Sequence, residues 1–382
     1  MDLLELSAGE RALSLARPDA GRTGLRAWDA ADEQLIAAAR PLASEGARVA
    51  IVDDSFGALS LALADLTPVS VADSAVLPAA LAANARANDL MPGAVSSWLM
   101  PPTGPFDLVI MKLPRQVDYL AYLLRWANDA LAPDGRLLAG GMIKHLPDRC
   151  AEKFDSLVRT EEVHRARRKA RLLECRPGRD GLAGWSGLWR GYTTAAPPGG
   201  LDLQGLPAVF GRERLDIGSR LLLEPISSVA RELAAGARVL DLACGNGLLG
   251  LTALAANPDL VVNFADVSSQ AVASATRNAT GCFAGARAAF FHCDGVPGNS
   301  GVYDLILLNP PFHEGGTVGD HIALRLFQQA SRVLAPQGRM LVVGNRHLGY
   351  HRSLRQWFRV RQLDADPRFV VFEARPQEGG RS

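Results

Sequence analysis

Cysteine is scarce in this chain, and the few present do not pair. Cys150, Cys175, Cys244, Cys282 and Cys293 are the only five in 382 residues, with no Cys-x-x-Cys among them and no ligand spacing to the seven histidines. That excludes a disulfide framework and a zinc site of the usual patterns, and free thiols in a reducing compartment are expected. Excess charge is lacking too: 41 Lys and Arg face 40 acids, a formal net charge of +1. No whole-protein field draws nucleic acid or membrane, so any basic footprint must be local. Long apolar runs are also absent, since none reaches the roughly 20 residues that span a bilayer. The N-terminal MDLLELSAGE is acidic where a signal peptide would be basic. A cytoplasmic, monomeric protein with no metal and no membrane partner is expected.

A hydrophobic share of 48% nevertheless provides for substantial cores, and the length suits two or three domains of about 150 residues. The chain is internally repeated. ARVAIVDDSFGALSLAL from Ala47 aligns with ARVLDLACGNGLLGLTAL from Ala237, FDLVIMKLP from Phe106 with YDLILLNPP from Tyr303, and LAPDGRLLAGG from Leu131 with LAPQGRMLVVG from Leu334. The offset drifts from 190 to 197 to 203, as loop insertions would make it do. Each half alternates short apolar strand runs with alanine-rich helical stretches, the pattern of a parallel sheet with crossover helices. The spacing predicts two tandem doubly wound α/β domains, over 1–195 and 211–382, joined by a Pro/Gly-rich linker at 196–210.

The second half carries the chemical motifs. VLDLACGNGLLG, Val239 to Gly250, reads as a strand entering a glycine turn that opens a helix, so bare backbone amides can approach a ligand. Asp266 follows Gly245 by 21 residues, at the end of the next apolar run. By itself that pattern suits a nicotinamide dinucleotide as well as any other nucleoside-bearing cofactor. DLILLNPPFHEGG, from Asp304, decides between them. Its apolar run stops at Asn309, where a doubly wound sheet binds ligands. Pro310 and Pro311 then fix their own φ angles and carry no amide hydrogen. The Asn309 side-chain oxygen and the Pro310 carbonyl make an acceptor pair suited to an exocyclic amine, and Phe312 offers a flat face for stacking. Hydride transfer has no use for such a corner, whereas methyl transfer to nitrogen does.

NPPF with an upstream DLACGNG resembles the S-adenosylmethionine-dependent amino-methyltransferases of class I. With the degenerate first copy, FGRERLDIGSRLLLE (Phe210 to Glu224) and the closing GNRHLGYHRSLRQWF, the chain is similar to the bacterial ribosomal RNA guanine-N2 methyltransferases. The run at 345–348 leans toward the large-subunit, 23S branch over the 16S branch. The resemblance implies S-adenosylmethionine as cofactor. It places Asp241, Gly245, Asn246 and Gly247 at the methionine end, Asp266 at the ribose hydroxyls and Asp294 at the adenine amino group, with Asp216 and Gly218 lining the cleft. It also implies Asn309, Pro310, Pro311 and Phe312 around the guanine amine, with His313 nearby serving mainly as a structural hydrogen-bonding group.

The first copy departs from this pattern. Ser55, Phe56 and Gly57 replace the turn, and Lys112 and Leu113 replace Asn309 and Pro310, so the first half is expected to keep the fold without the chemistry. HRARRKAR, His164 to Arg171, is its densest cation run, and Arg165, Arg167, Arg168, Lys169 and Arg171 are candidates for RNA phosphate contact. The rival readings are an N6-adenine DNA methyltransferase, a protein glutamine methyltransferase, and a non-catalytic RNA-binding assembly factor. The inactive duplicate, the missing helical pre-domain and the intact second-copy motifs count against them in turn.

Overall fold

Each half is built outward from strands too apolar to face water on either side. The computed structural model describes residues 2–4, 12–18, 25–146, 149–195, 200–311, 313–314, 317–318 and 321–377. In the first half the strands are β1 (Val49–Val52), β2 (Val69–Val71), β3 (Val95–Ser96), β4 (Phe106–Lys112), β5 (Leu131–Met142), β6 (Arg159–Val163) and β7 (Ala170–Arg176). They form one sheet in the order β3-β2-β1-β4-β5-β7-β6. In the second half β8 (Arg238–Leu242), β9 (Val261–Asp266), β10 (Arg287–His292), β11 (Tyr303–Leu308), β12 (Leu334–Asn345), β13 (Phe358–Ala365) and β14 (Phe369–Pro376) repeat that order as β10-β9-β8-β11-β12-β14-β13.

All neighbours are parallel except at one edge, where β7 and β14 run against both of theirs. Parallel strands covered on both faces read as unbroken apolar runs, which is why VAIV in β1 and LILL in β11 are buried throughout. Helices on the two faces complete the doubly wound arrangement. In the second half one face packs Leu222, Ile226 and Leu249 against Val239, Leu305 and Val371, and the other packs Phe327, Tyr350 and Leu354 against Ile306, Val342 and Phe372.

The boundary differs from the expected one. The chain divides into two compact units between Leu188 and Trp189. Asp202–Gly205, expected inside a linker, is a strand paired antiparallel with Arg190–Thr193. The first half has its own counterpart, Asp2–Leu4 with Leu13–Leu15. The two hairpins are held alike. The Asn84 side chain accepts from the Ala16 N–H at 2.9 Å and donates to the Ala16 carbonyl, as Asn278 does with Gln204. The supposed linker is therefore the opening hairpin of the second repeat; its Pro/Gly richness disguised a strand.

Candidate active site

In the second half the glycine turn follows from β8 ending at the sheet's carboxyl edge. Ala243, Gly245 and Gly247 all adopt left-handed backbone, with φ of 59°, 55° and 86°, a conformation cheap only for glycine. A Cβ on Gly250 would strike the Phe264 ring at 2.4 Å, so this position lets the helix Leu248–Ala256 lie close on the sheet. At Gly245 the nearest atom to such a Cβ would be the Phe210 carbonyl at 4.0 Å, so the turn is open on that side. A ligand can reach the backbone there.

Asp241 sits under this turn, fully buried. Its Oδ2 accepts from the Gly250 N–H at 2.8 Å, while its Oδ1 is buried with no partner among the described residues. Burial, opposed by the Gly250 N–H and reinforced by the Asp266 charge, pushes its carboxyl pKa up to about 8. Asp266 closes the turn from β9, accepting from the Gly245 N–H and from the Ser268 N–H, each at 2.8 Å. Asn246 donates weakly to the Tyr192 hydroxyl at 3.4 Å, and its carbonyl accepts from Asn278. An open backbone cradle above an orphaned acceptor fits a cofactor whose end carries cations, as the methionine portion of S-adenosylmethionine does.

Asp294, expected to meet an adenine amino group, is held differently. Arg325 grips both of its oxygens at 2.6 Å, so any amine reaching it must share a carboxylate already paired. Sequence reading missed this arginine, which lies far along the chain in the helix His321–Val333.

At the other lip of the cleft, Asn309 follows β11. Its Nδ2 donates to Asp216 Oδ2 at 3.0 Å and to Ser219 Oγ at 2.9 Å. A carboxylate only accepts, so Asp216 selects the rotamer that presents the amide nitrogen to it. The opposite atom, Asn309 Oδ1, is left buried with no partner among the described residues. Pro310 is buried beside it and Pro311 exposed. Phe312, and the side chain of His313, lie outside the described residues. Asp216 is the N-cap of the helix Ile217–Glu232, accepting from the Ser219 N–H, and Gly218 lies against the Phe369 ring. Asp216, expected to line the cofactor cleft, is bonded to Asn309, because its capping position points it at the end of β11. Ser219 was not foreseen; its signal was its place three residues after a capping aspartate.

The first half repeats this scaffold with the openings filled. Lys112 occupies the place of Asn309, and its Nζ pairs with Asp29 at 2.9 Å and Asp32 at 2.8 Å. Those two carboxylates stand where Asp216 and Ser219 stand, at a common offset of 187. Burial pulls the Lys112 ammonium down, but Asp32 and Asp29 outweigh it and hold its pKa above the usual value. At the turn, Asp54 accepts from the Gly57 and Ser60 amides and the Ser60 hydroxyl, while a Cβ on Gly57 would hit Leu81 at 2.7 Å. Phe56 packs into the core beneath the Arg17 guanidinium. The basic run forms the turn between β6 and β7. Arg165, Arg167, Lys169 and Arg171 are exposed there, but Arg168 is committed to Glu33 at 2.6 Å.

Comparison with known proteins agrees with this duplication. The RLMG N-terminal domain model matches residues 4–179 and the methyltransferase small domain model residues 200–373. A ribosomal RNA large subunit methyltransferase G of Pseudomonas putida is 38% identical over 371 residues, covering 94% of this chain and 96% of its own. One from Alcanivorax borkumensis is 37% identical, covering 91% and 90%. The chain belongs to the ribosomal RNA large subunit methyltransferase G family. The solved T. thermophilus 16S rRNA N2 G1207 methyltransferase, in complex with AdoMet and guanosine, superposes with a TM-score of 0.77 at 23% identity, over 98% of each chain. That likeness shows that the chain shares that protein's fold over its length. All five cysteines are free, and among the described residues no helix is long and apolar enough to cross a membrane.

Proposed function

We propose that this protein transfers the methyl group of S-adenosylmethionine to the exocyclic N2 amine of a guanine in 23S ribosomal RNA. The observation that carries the reading is Asn309, whose amide nitrogen is held by Asp216 and Ser219 while its buried oxygen lacks a partner. A buried acceptor left unmade costs about 1–3 kcal/mol, and an amine hydrogen from the substrate would recover it. The large-subunit names of the relatives favour 23S over 16S RNA.

When bound, the cofactor supplies an electrophilic sulfonium methyl. The protein's part is to hold and aim the amine. Asn309 Oδ1 and the Pro310 carbonyl each accept one N2 hydrogen, which draws the nitrogen lone pair out of conjugation with the ring and toward the cleft. No general base is required, because the amine sheds its proton after attack, and positioning supplies most of the effect. Asp241 and the turn Gly245–Gly247 hold the methionine end, and Asp266 the ribose. Asp294, with Arg325 fixing its carboxylate, faces the adenine. The basic turn of the first half adds RNA contact through Arg165, Arg167, Lys169 and Arg171. The protein works as a cytoplasmic monomer without a metal.

The test is transfer of labelled methyl from S-adenosylmethionine to 23S RNA from cells lacking the protein, followed by mapping of the product base. Label on a single guanine N2 is expected; label on adenine, on 16S RNA alone or on protein would overturn the reading.

A further inference from the structure

The second half carries a charge asymmetry that its repeat does not. From Arg346 to Leu363 the sequence has five arginines, two histidines and no acid. The equivalent stretch of the first half, 143–163, has four Lys and Arg against five acids. Both stretches build the same structure: the turn after the long central strand, a short helix, and the edge strand, here β13 and there β6. At the edge, Arg361 stands opposite Glu373 where Glu162 stands opposite Glu174. The fold therefore does not require this charge, because the duplicate builds it with the opposite balance.

In the second half the same elements enclose a cleft of about 560 Å³. Arg346, His351, Arg355 and Gln362 line it, with Val370 and Phe372 among its apolar residues. The three basic side chains and Gln362 are exposed. Among the described residues no carboxylate pairs with Arg352 or Arg355, and Arg346 spends only its Nε, on the Asp366 carbonyl at 2.7 Å. A cationic rim, with Asp366 the acid facing Arg346, over an apolar floor in a space of ligand size matches the two faces of a nucleotide: phosphate outside, base within. A duplex has no splayed base to offer such a cleft.

We infer that this cleft between the edge hairpin and the helix Tyr350–Leu354 binds a nucleotide of a single-stranded RNA segment, with Arg346 and Arg355 on its phosphates and the base over Val370 and Phe372. It rests on RNA being the substrate. It adds a contact outside the methyl-transfer residues, in the catalytic half itself, and gives Arg346 and Arg355 a use that the inactive repeat lacks.

The test is binding of an unstructured fluorescent oligoribonucleotide, without cofactor, across a salt series. Each phosphate contact on a single strand contributes a slope of about −0.7 in log affinity against log salt. Replacing Arg346 and Arg355 by alanine should lower the slope by about 1.4 and weaken binding on the order of tenfold at moderate salt, with S-adenosylmethionine affinity unchanged. Gln362→Trp, which fills the cleft and leaves both arginines, should weaken binding at every salt concentration. An Arg231→Ala control on another surface should do neither. Unchanged slope in the double variant, equal loss in the control, or unimpeded binding by Gln362→Trp would each overturn the proposal. If the parent protein fails to bind the oligonucleotide yet still methylates 23S RNA, this proposal is overturned and the proposed function stands.

Discussion

If Asp241 meets the cofactor as proposed, its raised pKa should make cofactor binding release a proton. With its pKa pushed up to about 8, the carboxyl holds about 0.9 of a proton at pH 7, where an ordinary aspartate holds almost none. A cation brought to its unpartnered Oδ1 favours the ionised form, so S-adenosylmethionine should displace that proton. The linked effect on folding has a definite sign. Above the ordinary value of 3.8 the unfolded chain has lost the proton that the folded chain keeps, so stability contributed by this group falls as pH rises from about 4 to 8 and is lost above the folded pKa. The slope is about 1.4 kcal/mol per pH unit. Calorimetric titration with S-adenosylmethionine at pH 7, in two buffers of different ionisation enthalpy, should give close to one proton released per site, and cofactor affinity should rise toward pH 8. In Asp241→Asn, which keeps an oxygen for the Gly250 N–H, the release should vanish and the stability of the ligand-free protein should become flatter between pH 4 and 8. A binding enthalpy independent of buffer in the parent protein would refute the combination of a neutral carboxyl in the free protein and its contact with the cofactor's cations.

Asn309→Ala should nearly abolish methyl transfer while leaving S-adenosylmethionine affinity within a few-fold by calorimetry, since its oxygen serves the amine; equal loss of both would move Asn309 to the cofactor site. Lys112→Ala should leave the buried Asp32 without its partner and lower the stability of the first unit by about 3–5 kcal/mol in denaturant melts, with the cofactor site untouched. Replacing Arg165, Arg167 and Arg168 by alanine should reduce the salt slope of single-strand RNA binding by about 1.4, two contacts at about 0.7 each, because Arg168 is paired with Glu33; an unchanged slope would make this turn a solvated surface only.

The tandem duplication and the parallel α/β character of each half were legible because each depends on local pattern. Apolar runs of strand length, glycines at fixed offsets and a proline pair are set by neighbours a few residues away. The entry hairpin of the second half was not legible. Its strand Asp202–Gly205 is held by Asn278, 74 residues distant in sequence, and its own composition reads as a loop. Arg325 and Ser219 were hidden for the same reason: their partners, Asp294 and Asn309, lie 31 and 90 residues away. Only the crossover topology brings them together. The RNA-contact candidates were chosen by cation density, which cannot register that Glu33, on the helix Ala30–Leu42, neutralises Arg168.

At the glycine turn and the corner after the fourth strand of the sheet, the two halves differ in whether the polar groups are satisfied without a ligand. In the first, Asp54 accepts three donors and Lys112 has two carboxylates, so the remains of the cofactor turn and the acceptor corner are sealed by internal pairs. In the second, Asp241 Oδ1 and Asn309 Oδ1 are buried without partners among the described residues, each at a cost of about 1–3 kcal/mol. A catalytic half must carry that cost, because an acceptor satisfied internally has nothing left for a substrate; an inactive half gains by removing it. Ligand should therefore stabilise one half only. At a hundredfold excess over its dissociation constant, S-adenosylmethionine adds about 2.7 kcal/mol to the state that binds it. Hydrogen exchange should show that protection in segments around Gly245 and Asp266 and none around Gly57 and Lys112, and equal protection in both halves would mean the first had kept a working site.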